Sequence, residues 1–284
     1  MQEIAPNVYY DTSYAGVTLG AINWPHGLVL IDAPFLENDI RNWRSALLNL
    51  SGGIGRMLVI LDSHYDRTLG SKGMESAVIS HENLVNVFRE RPNSFKAQVL
   101  DTGADWEQFG TPSNIRWHLP EIAFSDKMVI NWDETPIIFE YHPGPTQDAI
   151  WVDLPGRKVL FLGDTVLATQ PPFLALADIP AWIENLKLLL TPKYQEYIFI
   201  SGRDGIVTTL DIRTQLKFLE NIHKRLEVMV SRQEPPEKTD QLVSVLLSSF
   251  DIDLKLQHQY QQRLRNGLRE YYIHHYNLGD RDLE

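Results

Sequence analysis

The chain has 284 residues, 43% of them hydrophobic, which is enough to fill the core of one large domain or of two smaller ones. Its formal net charge of -11 disfavours a general affinity for nucleic acid or anionic lipid, because their phosphates would repel it. Cysteine is absent, which excludes disulfides, thiolate metal ligands and a cysteine nucleophile, so that only His, Asp or Glu side chains can hold a metal.

The N-terminal stretch MQEIAPNVYY lacks the basic and apolar segments of a signal peptide. No run approaches the roughly 18 uninterrupted apolar residues that a membrane span needs. We therefore expect a soluble, cytoplasmic protein that binds neither membrane nor nucleic acid.

The first half of the chain alternates strands with helices. Strands are predicted at NVYYDTSY, GVTLGAINW and LVLIDAPF, a helix at ENDIRNWRSALLNL, and a buried strand at GRMLVILDSH. A helix near TLGSKGMES and a strand at AVISHE come next, and an irregular stretch runs to about residue 115.

The second half repeats this alternation. Four strands are predicted at KMVINW, TPIIFEYHPG, DAIWVDLP and RKVLFLGDTV, and the helix PAWIENLKLLL precedes a strand at EYIFISGRDG. Two sheets packed face to face, with helices outside them, would bury these apolar runs on both sides. The pattern thus indicates a mixed α/β (α+β) fold.

Near residue 206 the predicted structure changes from alternating strands and helices to helices alone. TTLDIRTQLKFLENIHKRLEVMVSRQ has helical spacing, and Asp211 is placed to favour the start of this helix. EPPEKTD (234–240) is a linker, and further helices are predicted near 238–249 and 253–275. We predict one domain over 1–207 and a C-terminal helical extension over 208–284, which packs on that domain or forms a homo-oligomer with a second subunit.

The segment LDSHYDR (61–67) follows the strand MLVIL. Alternate residues of an extended segment face the same way, so Asp62, His64 and Asp66 can converge on a metal such as zinc, manganese or iron. An alternative is structural: Asp62 caps a turn, and Asp66 pairs with Arg67 or with a distant cation.

Three later segments also place polar residues at turns or strand ends. His142 lies in the turn of YHPGPTQDAIWV, where it either enters the same pocket or is satisfied by backbone carbonyls. Asp164 follows Gly163 at the end of an apolar strand, and a buried carboxylate there needs a partner. Arg203 lies in the turn of ISGRDG.

The order of these segments resembles the metallo-β-lactamase-fold superfamily over about residues 1–207. GVTLGAINWPHGLVLIDAPF, the His/Asp cluster, HPGPTQDAIWVDLPGRKVLFLGDTV, DIPAWIENLKLLL and ISGRDG carry the resemblance. It implies a four-layer αββα sandwich with the active site at one edge of the sheets. In that family His-x-His-x-Asp-His, a Gly-His-Thr turn, an Asp after a Gly and a late Gly-His-Gly turn hold two metal ions that activate water.

Only three of the seven ligand positions implied by this resemblance keep the expected residue, namely His64, Asp66 and Asp164. The four positions where histidine is expected hold other residues: Asp62, Arg67, Pro145 and Arg203. Arginine has no lone pair to donate and stays charged, so we expect no metal in the subsite of Asp66, Arg67, Asp164 and Arg203. Two guanidiniums facing two carboxylates would instead neutralise one another.

The other subsite keeps enough ligands for one ion. Asp62, His64 and Asp164 can hold it, His142 is a possible further ligand, and Asp66 would orient or deprotonate a water. Asp148 or Asp204 could also repair the site.

Three functions follow, and the sequence leaves open whether the protein is an enzyme. The first is a pseudoenzyme or binding protein without a cofactor, in which Arg67, Arg203 and His142 receive a small anionic molecule. The second is a hydrolase of an ester, lactone, thioester or phosphoester that uses one zinc, manganese or iron ion. The third is an interaction module that acts through the helical extension.

Overall fold

A computed structural model describes residues 1–50, 53–91, 102–109 and 117–276. Its first sheet has seven strands that lie side by side in chain order. The strands β1 to β4 pair antiparallel, whereas β4 to β7 pair parallel. The strands are β1 (Gln2–Ala5), β2 (Val8–Asp11), β3 (Leu19–Trp24), β4 (Gly27–Ile31), β5 (Gly55–Val59), β6 (Ala77–His81) and β7 (Ile122–Phe124).

The second sheet has six strands in the order β13-β12-β11-β10-β9-β8. Only β11 and β12 pair parallel; the other neighbours are antiparallel. The strands are β8 (Lys127–Ile130), β9 (Ile137–Tyr141), β10 (Ile150–Leu154), β11 (Val159–Gly163), β12 (Ile198–Ser201) and β13 (Gly205–Val207).

The part of the chain that the structure describes contains seven α-helices. They are α1 (Glu37–Leu47), α2 (Tyr65–Thr68), α3 (Glu82–Glu90), α4 (Ile179–Leu189), α5 (Thr209–Ser231), α6 (Asp240–Leu247) and α7 (Gln257–His275). Short 3-10 turns lie at Ser71–Met74, Asp105–Phe109, Pro192–Tyr194 and Pro236–Thr239.

The central strands are buried on both faces, as their continuous apolar sequences predict. In β11, Phe161 packs into the core between the sheets, whereas Leu160 packs into a second core beneath α4 to α7. In β4, Val29 faces the other sheet and Leu28 faces the core beneath α1 and α3. Three layers of hydrophobic packing therefore separate four layers of structure, which confirms the αββα sandwich.

The helices after residue 207 pack on the sandwich of their own chain. Helix α5 begins with a capping box, in which the Thr208 amide donates to Asp211 Oδ2 at 2.7 Å and the Asp211 amide donates to Thr208 Oγ1. One hydrophobic core joins Leu160 of the second sheet to Ile222 of α5 and Leu264 of α7. The domain boundary at residue 207 and association through these helices stay predictions.

Some elements differ from the sequence prediction. Strands β1, β7 and β13 and helix α3 were not anticipated; α3 starts directly where β6 ends, and His81 caps it by accepting the Asn83 amide at Nδ1. The helix expected near TLGSKGMES is two short pieces. At Gly70 between them only glycine fits, because a Cβ would lie 1.8 Å from the Pro34 carbonyl oxygen. Much of the predicted irregular stretch to residue 115 lies outside the described residues.

No helix within the described ranges is both long and apolar enough to cross a membrane.

Candidate active site

Three strand ends deliver the polar residues of the site to one edge of the two sheets. Asp62 follows β5 of the first sheet, while Asp164 follows β11 and Arg203 follows β12 of the second. All three side chains are buried. Their charges must therefore be balanced inside the protein, because desolvating an unpaired charge is costly.

Arg67 pairs with three carboxylates in the site. It is 0% exposed, and each of its nitrogens faces a carboxylate. Nη1 donates to Asp32 Oδ2 at 3.0 Å, Nε lies 3.1 Å from Asp62 Oδ1, and Nη2 donates to Asp164 Oδ1. These carboxylates outweigh the effect of burial and raise the pKa of Arg67 above its ordinary value.

Arg203 also binds Asp164, on the carboxylate oxygen that Arg67 does not use. Its Nε donates to Asp164 Oδ2 at 2.9 Å, and its Nη1 donates to Asp66 Oδ2 at 2.8 Å. Asp105 Oδ2 and the Gly16 carbonyl also accept from Nη1, at 3.1 and 3.0 Å. Nη2 is buried without a hydrogen-bond partner among the described residues.

Asp164 thus accepts one guanidinium on each carboxylate oxygen. Burial would raise its pKa, but Arg203 and Arg67 outweigh burial and hold the pKa well below its usual range. Two glycines make room for the network. Gly163 adopts a left-handed φ of 57°, and a Cβ at Gly202 would lie 2.8 Å from both Nη atoms of Arg67.

Asp32 is the third carboxylate that contacts Arg67. It is fully buried, accepts the Leu61 amide on Oδ1 at 2.9 Å and holds Arg67 on Oδ2. Burial raises the pKa of Asp32 to about 7, even though Arg67 opposes this shift.

Asp62, His64 and Asp164 form a group that could hold one metal ion, since one ligand atom from each lies within 4.8 Å of the others. His64 Nδ1 lies 2.9 Å from Asp62 Oδ1 and 3.4 Å from Asp164 Oδ2. Burial would raise the pKa of Asp62, but Arg67 and His64 keep it below its usual value. Asp62 Oδ2 is buried and has no hydrogen-bond partner among the described residues.

The two implied metal subsites differ in how well their residues suit a cation. In the subsite of Asp66, Arg67, Asp164 and Arg203, the guanidiniums occupy the carboxylate oxygens, so this donor set does not fit a metal. In the group of Asp62, His64 and Asp164, one free oxygen and one imidazole nitrogen remain. That donor set suits at most a single ion.

The other residues predicted from sequence make contacts of their own. Both oxygens of Asp66 accept hydrogen bonds, from the Trp106 amide at 2.8 Å and from Arg203, and its role with a water stays a prediction. His142 stacks on Trp151 with ring centroids 3.6 Å apart, and its Nδ1 lies 2.9 Å from Asn185 Oδ1. His142 is not part of the group of potential ligands.

Asp148 and Asp204 also lie outside that group. Asp148 accepts from Ser63 Oγ at 3.0 Å, and burial raises its pKa. Asp204 accepts the Ala168 amide at 2.8 Å and the hydroxyl of Thr169, so it holds the loop after β11. The geometry gives no support to a repair of the metal site by these two residues.

Sequence reasoning missed Arg263 of α7, which is 1% exposed. Its Nε donates to the Gly103 carbonyl at 3.0 Å, and its Nη1 donates to Gln170 Oε1 at 2.7 Å. Burial, together with Arg203, lowers the pKa of Arg263 to about 10. Helical spacing could have found it, because Tyr260, Leu264 and Gly267 place Arg263 on the buried face of α7.

A cavity of about 110 Å³ lies beside His64. Its wall combines the residues after β5, the segment 173–176 and the α7 residues Arg263, Asn266 and Gly267. The ring of Phe173 contacts the guanidiniums of both Arg203 and Arg263, at 4.6 and 4.0 Å from its centroid. Helix α7 is therefore one wall of the candidate site.

Comparison with known proteins agrees with this architecture. The family model of the metallo-beta-lactamase superfamily matches residues 72–201. Among curated proteins, none matches significantly.

Three solved structures illustrate the likeness. The stereoselective inverting sec-alkylsulfatase Pisa1 from Pseudomonas sp. is 17% identical with a TM-score of 0.72, and the match covers 99% of this chain but 50% of that one. A metallo-beta-lactamase family protein from Thermus thermophilus is 16% identical with a TM-score of 0.62, covering 97% and 95%. A metallo-beta-lactamase from Pontibacter korlensis is 17% identical with a TM-score of 0.59, covering 78% and 98%. At these identities the likeness shows the fold alone, and the chain spans half the length of the sulfatase.

Proposed function

We propose, from the premise that this chain belongs to the metallo-β-lactamase superfamily, that guanidiniums have replaced the second metal of its site, so that it is not a two-metal hydrolase. In this proposal the protein binds a small molecule in the cavity beside His64.

One observation carries the proposal. Asp164 stands where the family resemblance implies a carboxylate shared by two metal ions, and here its two oxygens are shared by Arg67 and Arg203. A guanidinium presents its N–H groups to a carboxylate in a planar fork, but it cannot coordinate a cation. In this proposal the positive charge that neutralises Asp164 comes from Arg67 and Arg203, where a two-metal site would use metal ions.

Electrostatics supports the same interpretation. A second cation would have to enter a space in which Arg67 and Arg203 are buried and permanently charged. To admit it, both guanidiniums would have to leave their carboxylates, and breaking a buried ion pair costs roughly 3–5 kcal/mol.

The contacts of Arg67 and Arg203 favour a structural role for both over the binding of an anion. Apart from Nη2 of Arg203, their nitrogens already contact carboxylates or a carbonyl. Arg67 and Arg203 therefore hold the site together in this proposal, and neither is a wall of the cavity.

Metal analysis of the purified full chain tests the proposal. After incubation with excess zinc and removal of free ion, we expect well below two equivalents of zinc per chain by plasma mass spectrometry. The variant Arg44→His, whose new histidine would lie at the surface beside Glu75, shows how much zinc one exposed histidine retains under the same conditions. Two tightly held zinc ions per wild-type chain would overturn the proposal.

A second candidate function rests on the group of Asp62, His64 and Asp164 and on the free Oδ2 of Asp62. These three residues would hold one zinc, manganese or iron ion, which supplies an activated water when bound. Asp66 would orient that water in a hydrolysis of an ester, lactone, thioester or phosphoester.

This candidate predicts a turnover that chelators abolish. His64→Ala should remove the activity, whereas His142→Ala, which changes a histidine outside the ligand group, should leave the metal affinity unchanged. If a panel of the four substrate classes gives no chelator-sensitive turnover, the single-metal hydrolase is rejected.

A further inference from the structure

We propose that the cavity beside His64 binds a small neutral aromatic molecule that carries one hydroxyl group, a ligand of the phenol class, and that α7 supplies the wall that selects it. This inference rests on the proposed function above, in which the site binds a small molecule without a pair of metal ions.

The lining of the cavity favours an apolar ring. Aromatic side chains of Tyr65, Trp106 and Phe173 face it together with Leu174, Ala175 and Leu176. Leu176 is 59% exposed, which places the mouth of the cavity at this segment. Burying an apolar ring against such walls is favourable by about 25 cal/mol per Å² of area removed from water.

The cationic side chains in the lining offer little to an anion. Arg263 already donates to Gly103, Gln170 and Pro171. Arg91 donates to Thr68 Oγ1 at 3.1 Å and to the Ser63 carbonyl, and its guanidinium lies over the Tyr65 ring at 4.1 Å. An anion would lose its hydration without gaining an unoccupied guanidinium, and the carboxylates of Asp66 and Asp62 lie close by.

Two polar groups in the lining remain available for one hydroxyl. The side-chain amide of Asn266 and the Nε2 atom of His64 receive no hydrogen bond from any residue in the described ranges. A ligand hydroxyl can form a hydrogen bond with either group, and the Asn266 amide can both donate and accept. This pairing selects a phenol over a purely apolar ring of the same size.

The wall formed by α7 is fixed by two close approaches at glycine. A Cβ at Gly267 would lie 3.1 Å from the Leu174 backbone nitrogen, and a Cβ at Gly103 would lie 2.7 Å from the Arg263 nitrogen. These close contacts, together with the hydrogen bonds of Arg263 to Gly103 and Gln170, hold α7 against both segments. The volume of about 110 Å³ is smaller than the roughly 150 Å³ of an apolar cavity that binds benzene, so the ligand is at most one ring, and part of that ring lies in the open mouth at Leu176.

Titration calorimetry of the full chain with phenol, toluene, benzamide and benzoate tests the inference. Toluene matches phenol in size without its hydroxyl, and benzamide matches benzoate in shape without its charge. We expect phenol to bind about fivefold more tightly than toluene, the factor for one hydrogen bond, and benzoate to bind at least about tenfold more weakly than benzamide. Inorganic phosphate should not bind.

Two variants locate the binding. Ala175→Phe fills the cavity and should abolish phenol binding, whereas the exposed Ala123→Phe is the matched control and should not change it. Asn266→Leu should remove the preference for phenol over toluene. Each variant is compared by its unfolding midpoint, so that loss of binding is separated from loss of folding.

The inference is overturned if benzoate binds more tightly than benzamide, if no phenol binds to the wild-type chain, or if Ala175→Phe binds phenol as the wild type does. The zinc analysis described above separates the two failures. Absence of phenol binding with no pair of zinc ions rejects only this inference, whereas two zinc ions reject the proposed function itself.

Discussion

Replacing Arg67 by methionine is the sharpest perturbation of the buried network. The substitution keeps an unbranched side chain of similar length but removes the charge that Asp32, Asp62 and Asp164 share. Asp164 would keep Arg203 and His64, and Asp62 would keep only His64. Asp32 would keep only its hydrogen bond from the Leu61 amide. Removing one partner of a buried ion pair costs about 3–5 kcal/mol, a large part of a typical total stability of about 5–15 kcal/mol.

Urea unfolding followed by circular dichroism measures this loss as a fall in the midpoint at constant slope. The control is Arg44→Met, because Arg44 and Glu75 pair at 2.7 Å with side chains that are 43% and 68% exposed. An exposed pair contributes at most about 1 kcal/mol.

The effect of Arg67→Met should depend on pH with a definite sign. Asp62 and Asp164 have pKa values below those of the unfolded chain, so their contribution to stability is present above about pH 4 and is lost as the pH falls through their folded pKa values. The difference between wild type and variant should therefore be largest near neutral pH and shrink in acid. A loss no greater than that of Arg44→Met, or a loss that is independent of pH, would refute the reasoning.

Three further predictions concern single residues. Gly202→Ala should destabilise the fold by about 1–3 kcal/mol, since the new Cβ would lie 2.8 Å from the Arg67 guanidinium; thermal unfolding of the variant measures the loss. Arg263→Met should free α7 from the site, and hydrogen exchange of residues 257–275 should then accelerate while exchange in the central strands is retained. Burial raises the folded pKa of Asp148, so the wild type loses stability as the pH rises above the pKa of an unfolded aspartate, about 3.9. Unfolding midpoints should therefore show Asp148→Asn gaining stability relative to wild type at pH 8 compared with pH 3, and a change of the opposite sign would contradict this.

The sandwich, and the pairing of carboxylates with guanidiniums at its edge, could both be predicted from the sequence. Apolar runs such as VLFLG can only be buried on both faces, and β11 does pack into two cores. Two arginines at positions implied for metal ligands also predicted carboxylates facing guanidiniums, and Asp164 has that arrangement.

The remaining features depend on tertiary contacts that no local pattern specifies. Helix α3 begins directly after the last residue of β6, with no turn sequence between them, so the segment AVISHE gives no sign of the helix that follows. The contact of Arg263 with Gly103 joins residues far apart in the chain. Because this contact builds one wall of the cavity, the shape of the candidate site could not be derived from the motif at 61–67 alone.

Crystals grown in excess zinc, with anomalous scattering recorded at the zinc edge, show directly whether metal ions or guanidiniums occupy the oxygens of Asp164. We expect no pair of peaks about 3.5–4 Å apart near Asp164, and both guanidiniums bound to its carboxylate oxygens. Two strong peaks at that spacing, with Arg67 and Arg203 turned away from Asp164, would contradict it.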